Sequence, residues 1–373
     1  MPDDKIGKRF YCRMKFLFIV QGEGRGHLTQ AISLKEILVK NGHEVVGVMV
    51  GKSNRRELPD FFIQGIQTDI YRFNSPNFLP SKKKTTSIWL TIAYNFLKAG
   101  TYLSSIFYIK KQIRDLQADV VINFYDMMAG LTYALFTPKI PCVCIAHQYL
   151  FLHPDYVLPE DRWAELYLLK FFTKITAAKA SLLLALSTRE MPSVPDRRMK
   201  VVPPLLRKDV FEIPVKKGNY LHGYMLNDTY ADEIIQFQKK HPGIYVRFFW
   251  DRKGVPDKLE VNDYLSFHRL NDRLFLEYMA ECMGYATTAG FESVCEAMYM
   301  GKPVLMVPTH IEQECNAFES SSTGAGIVAH KFELEKLLEF IPLYQENPAF
   351  KVWAKGAEAR IIEALEELNT DNH

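Results

Sequence analysis

The sequence predicts an α/β protein of two Rossmann-like, doubly wound domains facing a cleft. Three observations carry this. Residues 15–50 run as buried strand, glycine-rich loop, helix and second strand. A second series of alternating strands and helices begins near residue 219. Residues 289–317, AGFESVCEAMYMGKPVLMVPTHIEQECNA, read as turn, short helix, buried strand, loop and helix start. Alternation of this kind builds parallel sheets with crossover helices. At 373 residues the chain is long enough for two cores.

Composition narrows the class. Charged residues make up 24% and hydrophobic ones 48%, as in a soluble globular protein. A net charge of +3 is too small to argue for nucleic acid. Cysteines stand at 12, 142, 144, 282, 295 and 315, with no C-x-x-C pair and no histidine cluster to complete a metal site. Reduced thiols fit a cytoplasmic protein. Residues 1–13 are polar and basic without the apolar core of a secretory signal. They read as a leader, with Met14 a candidate start.

In chain order, KFLFIV at 15–20 is a short buried strand. The loop Gln21-Gly22-Glu23-Gly24-Arg25-Gly26-His27 follows, then helical spacing over 28–40 with Ile32, Leu34, Ile37 and Leu38 apolar. A second strand is expected over 43–50. The dinucleotide fingerprint G-x-G-x-x-G fails, because His27 stands where the third glycine should. Strand two also ends in Gly51-Lys52, without the acid that would grip a ribose. The loop still offers bare backbone and helix-start N–H groups beside a histidine.

Residues 51–84 read as loop and weak strand, punctuated by Pro59, Pro76 and Pro80. Lys82-Lys83-Lys84 precede an aromatic-rich run at 87–109, and LLKFFTKITAAK at 168–179 repeats the mix of basic and apolar residues. Asn95, Lys98 and Gly100 make the first run a poor membrane span. Two readings stay open for both runs: buried helices, or surface helices that dip into an anionic bilayer. Strands are expected at 119–124, ending near Asp126, at 140–146, with His147-Gln148 at its end, and at 181–187 as the last of this domain. VVPPLLR from residue 201 reads as the linker, since adjacent prolines exclude a helix.

The second domain is expected to run as strand 219–226, helix 230–241, strands 244–250 and 265–270, and helix 272–282. Then comes the 289–317 stretch. Helical spacing over 291–299 puts Glu292 and Glu296 four apart on one face. Gly301 ends that helix. VLMVP from Val304 suits a strand covered on both faces, and His310 to Gln313 reads as a polar loop beyond it. Ligands of open α/β sheets bind at the carboxyl ends of strands. Glu296, Glu312 and Gln313 are therefore placed to grip something rich in hydroxyls. Residues 333–368 read as helical, interrupted at Pro342 and Pro348.

The stretch resembles the donor-binding region of GT-B glycosyltransferases, the UDP-glycosyltransferases and the family 28 enzyme that completes lipid II. The residues that carry the likeness are Gly290, Glu296, Gly301-Lys302-Pro303 to Pro308, Glu312-Gln313 and Asn316-Ala317. Gly26-His27-Leu28 matches the glycine loop of the same group. The resemblance implies a GT-B fold. An acceptor domain would span 14–205, a nucleotide-sugar domain 206–345, and a helix over 346–373 would cross back to the first. It implies inverting transfer of a sugar from a nucleotide sugar, UDP-linked, to an acceptor hydroxyl. His27 would be the base, with Asp126 near the place of its orienting acid and His147 as rival base. Asn123 aligns more closely with that acid than Asp126 does. Glu296 would hold the ribose, and Glu312 and Gln313 the sugar. Gly24, Gly26, Thr288, Gly290, Phe291, Glu292 and Ser293 would meet the diphosphate through backbone and helix N-termini, with Asn316 beside them. Leu270 closes the segment expected to read the base. No D-x-D motif stands in an apolar setting, which agrees with chemistry that needs no metal or other cofactor. The family 28 likeness adds a lipid-linked acceptor and peripheral contact with the inner membrane surface. Two alternatives share the fold: a non-hydrolysing nucleotide-sugar 2-epimerase, and a non-catalytic nucleotide-sugar binding protein.

Overall fold

The computed structural model describes residues 13–52, 58–76, 99–159, 161–226, 228–252 and 254–370. The first sheet is built from β1 (Lys15–Val20), β2 (Glu44–Lys52), β3 (Ile70–Asn74), β4 (Val120–Phe124), β5 (Cys142–Ala146), β6 (Leu182–Leu186) and β7 (Met199–Val202). Its order is β3-β2-β1-β4-β5-β6-β7, and every pairing is parallel. Its central strands are buried along their whole length, as expected where helices cover both faces. The helices are α1 (Arg25–Lys40), α2 (Asp60–Ile66), α3 (Ala99–Asp115), α4 (Met127–Phe136) and α5 (Trp163–Thr176).

A short helix α6 (Lys208–Glu212) leads into the second sheet. This holds β8 (Tyr220–Met225), β9 (Tyr245–Trp250), β10 (Lys258–Asn262), β11 (Leu265–Arg269), β12 (Gly284–Thr287), β13 (Val304–Met306) and β14 (Gly326–Val328). The order is β10-β11-β9-β8-β12-β13-β14, parallel apart from the β10–β11 hairpin. Helices α7 (Ala231–Lys240), α8 (Asp272–Glu281), α9 (Phe291–Tyr299), α10 (Ile311–Ser322) and α11 (Leu334–Phe340) cover it. Finally α12 (Pro348–Lys355) and α13 (Ala357–Thr370) reach back to the first sheet. Trp353 Nε1 donates to Ser187 O at 2.8 Å, and Glu358 pairs with Lys40 at 2.7 Å. Ile361, Ala364 and Leu365 are buried in the same apolar core as β1 and β4.

Several expectations change. The first helix begins at Arg25, three residues earlier than its apolar spacing suggests, so His27 lies in its first turn. Residues 60–66 are helical, and β3 is a full member of the sheet. β6 is followed by β7, so Val201 and Val202 belong to a strand and not to a linker. β10, β12 and β14 were not expected; β12 is only four residues, GYAT. The polar loop at Ile311–Gln313 is the first turn of α10. Pro348 opens a helix instead of interrupting one, since proline suits the first helical position. The break in the last helical run falls at Gly356. Of the aromatic-rich run only 99–109 is described; Lys82 to Lys84 and residues 87–98 lie outside the described residues. No helix among the described residues is long and apolar enough to cross a membrane.

Candidate active site

In each sheet the strand order reverses beside the first strand, between β1 and β4 and between β8 and β12. A crevice opens at such a point. The segments after β1, β4, β5, β12 and β13 carry the site. Gly22 makes the first possible, because a Cβ there would lie 2.0 Å from Gly51 O. Gly24 then caps α1 with its backbone alone. Two left-handed non-glycine residues occupy equivalent places at the ends of the switch strands: Tyr125 after β4 (φ 61°) and Ala289 after β12 (φ 61°). Strain of this kind collects at functional sites. Tyr125 stacks on the His27 ring at 5.6 Å, and Asn316 Nδ2 donates to Ala289 O at 3.2 Å.

His27 is buried and sits in the first turn of α1. Its Nδ1 lies 3.2 Å from Gln30 Oε1, and its Nε2 lies 3.3 Å from Gln148 Nε2. Burial lowers its pKa; Glu312 and the Gln30 contact pull the other way. The ring is therefore neutral at neutral pH and has a basic nitrogen to offer.

The second domain meets this histidine with two acids. Glu292, in the first turn of α9, accepts a hydrogen bond from Gln30 Nε2. Its carboxylate also fills the space a Cβ on Gly26 would need. Burial pushes the Glu292 carboxyl up to about 7. Glu312, in the first turn of α10, accepts from Gln148 Nε2 at 3.0 Å. His147 lies flat on Phe291, ring centroids 4.5 Å apart, with its Nε2 3.5 Å from Glu312 Oε1. Burial drives the His147 pKa down to about 4. Gln148 Oε1 is buried without a hydrogen-bond partner, and the His147 nitrogens and Asn316 Oδ1, close to one another, have no well-aligned one. Orphaned polar atoms gathered like this mark a place built for a polar ligand.

Gly26, His27, His147, Phe291, Glu292, Glu312 and Asn316 are thus brought together. Gly290 caps α9, and Ser293 Oγ donates back to Gly290 O. Thr288 is buried between β12 and that cap. Gln313 accepts from the Thr309 backbone and hydroxyl at 2.9 and 2.8 Å. Asp126 stands apart: its oxygens accept from Ser75 Oγ and from the Met128 backbone, capping α4. Asn123 is tied to the Thr176 and Asp126 carbonyls. The partner that meets His27 Nδ1 is Gln30, one helical turn away. Leu270 packs half-buried against the core just past β11. Glu296 is buried, and its carboxylate is gripped by the Arg207 fork at 2.6 and 2.7 Å. Gln30, Tyr125 and Arg207 were not anticipated. Gln30 was within reach of sequence reasoning, being three residues from His27 on one helical face. Among the described residues no group of three or more metal-ligating side chains forms.

Comparison with known proteins places this architecture. The model of a family described as "Glycosyl transferase family 1" matches residues 14–343. No curated protein sequence matches. Among solved structures, the glycotransferase of kitacinnamycin superposes with a TM-score of 0.66 at 15% identity, covering 96% of this chain and 100% of that one. Arabidopsis thaliana UGT89C1, complexed with quercetin, gives 0.61 at 14% identity and 96% and 99% coverage. The Streptomyces sp. SF2575 glycosyltransferase SsfS6, complexed with thymidine diphosphate, gives 0.59 at 13% identity and 96% and 99% coverage. These are GT-B glycosyltransferases, and the likeness is one of fold.

Proposed function

Because the chain belongs to glycosyl transferase family 1 and is a GT-B glycosyltransferase, we propose that it moves a sugar from a UDP-sugar to an acceptor hydroxyl, with inversion. The observation that carries the reading is the buried His27 at the switch point of the first sheet, between Gly26 and Gln30, which meet Glu292 in the first turn of α9. The acceptor hydroxyl attacks the anomeric carbon while His27 Nε2 takes its proton. The nucleoside diphosphate leaves from the opposite face. The first backbone N–H groups of α9, after Gly290, have no partner within their helix and suit the charge that develops there. No metal is needed for that step in this reading. Glu312, Gln313 and Asn316 are the groups for sugar hydroxyls; Glu296 is the group for the ribose, and its carboxylate would have to accept from the ribose while it also holds Arg207. The matching family is one of transferases, so this reading is taken over the epimerase and the binding protein.

His147 is the weaker candidate base. A group held near pKa 4 has little affinity for the proton it must take at neutral pH. Calorimetry with millimolar UDP, TDP and GDP tests the donor site. UDP is expected to bind and to raise thermal stability by linkage. TDP belongs in the panel because SsfS6 was solved with it. Heat from none of the three would overturn the donor reading.

We further propose a lipid or amphiphile as the acceptor, met at the cytoplasmic face of a membrane. Trp163, Tyr167 and Phe171 recur every four residues on α5 and are 78%, 67% and 54% exposed, with Lys170 and Lys174 among them. Leu103 and Phe107 of α3 and Leu135 of α4 are also exposed. An apolar stripe flanked by lysines suits the interface of an anionic bilayer. Flotation with anionic liposomes should carry the protein upward at low salt and less so at high salt. Protein left in the soluble fraction at both salts would point to a soluble acceptor.

A further inference from the structure

We propose that Gln148 and Gln30 are positioning residues that together fix the tautomer of His27, and that acids of the second domain hold them in place. The inference rests on His27 being the base. An amide side chain has one accepting end and one donating end. The orientation of the whole chain follows from Glu312. A carboxylate oxygen accepts, and Gln148 turns its NH2 toward Glu312 Oε1, 3.0 Å away. The same nitrogen lies 3.3 Å from His27 Nε2, which must then be the unprotonated, accepting nitrogen. The ring proton is left on Nδ1, where Gln30 Oε1 accepts it at 3.2 Å. Gln30 therefore turns its own NH2 outward, and Glu292 accepts from it. All four contacts agree with one arrangement, Glu312–Gln148–His27–Gln30–Glu292.

This arrangement leaves Nε2 as the basic nitrogen. The Gln148 amide hydrogen occupies the place where an acceptor hydroxyl would donate. Both ends of the chain belong to the second domain, while the histidine and both glutamines belong to the first. The tautomer is thus fixed most firmly when the domains are together, which is also when donor and acceptor would share the cleft. An Asp or Glu partner would orient the ring equally well but would favour the imidazolium. A neutral glutamine sets the tautomer without raising the proton affinity of the resting ring by a full charge.

The test uses nitrogen-labelled histidine in the full chain, with the His27 signals identified by their loss in His27→Ala. Long-range ¹H–¹⁵N spectra at pH 7 should show His27 protonated at Nδ1. In the double variant Gln30→Met/Gln148→Met, close in size and apolar, both tautomers should be populated. Turnover should fall about 10- to 100-fold, the scale of losing an orienting partner, with the nucleotide-sugar KM unchanged. Glu292→Gln keeps an accepting oxygen and should retain the wild-type tautomer. His27 protonated at Nε2 in the wild type would overturn the proposal, as would a Gln30→Met/Gln148→Met enzyme with unchanged tautomer and turnover. The spectra decide the point even if His27→Ala proves active, so failure of the base assignment is a separate result.

Discussion

His27→Ala is expected to lower turnover by about 10²–10⁴-fold, the usual worth of general-base help. Nucleotide affinity should stay nearly intact, because the groups proposed to hold the donor lie mainly on the second domain. The pH profile of the wild type should report the same group. Burial moves the His27 pKa below its ordinary value. Activity should therefore rise with pH through an apparent pKa below the usual histidine range, and this limb should vanish in the mutant. His147→Ala is the comparison to make beside it. Its ring stacks on Phe291 and stays neutral, so its loss should disturb packing more than proton transfer. Full transfer by His27→Ala together with an inactive His147→Ala would move the assignment to His147.

The second large effect is on stability. Glu296 and Arg207 form a two-pronged pair with both side chains largely out of water. Glu296→Ala leaves the guanidinium buried beside Asp272, whose Oδ1 is 3.7 Å away, and with no bidentate partner. Breaking a buried pair on one side costs about 3–5 kcal/mol. The nearby Asp272 argues for the lower end, about 3 kcal/mol, which is a large share of a typical folding free energy. A urea unfolding midpoint unchanged in Glu296→Ala would show that the pair contributes nothing. The double replacement by methionine should recover much of the loss, because no charge is then stranded. Nucleotide affinity, measured where the single mutant is folded, should weaken by about 1–3 kcal/mol if Glu296 also holds the ribose.

The sequence carried the frame of the molecule well. KFLFIV, the helix at 291–299 and the glycine at 301 all follow local rules, and each lies where those rules put it. Gly301 has φ 65°, the left-handed turn for which glycine is suited. What stayed hidden is non-local. Arg207 is 89 residues from Glu296 and follows a Pro-Pro-Leu-Leu segment with no periodicity to flag it. The short strands β12 and β14 each include glycine, a weak strand former, and hold their place by pairing with β13 on either side. Gln30 was missed for a local reason. Gly24 offers no side-chain cap, so the start of α1 is not legible from its N-cap, and the apolar spacing from Leu28 onward leaves His27 outside the helix that holds Gln30.

The return of α13 to the first domain has a consequence for how the protein is made. Ile361, Ala364 and Leu365 are buried in an apolar core that runs on to β1 and β4, among the earliest segments to leave the ribosome. The strand against which α13 packs, β7, also precedes the whole second sheet in the chain. The first domain can form its sheet early, but its apolar flank stays bare until roughly 170 further residues have been synthesised, some tens of seconds at the slower end of translation rates. The Lys40–Glu358 pair, 318 residues apart, closes only then. Domain-by-domain folding from the N-terminus therefore stops one step short in this chain. The half translated first is the half that must wait to be finished.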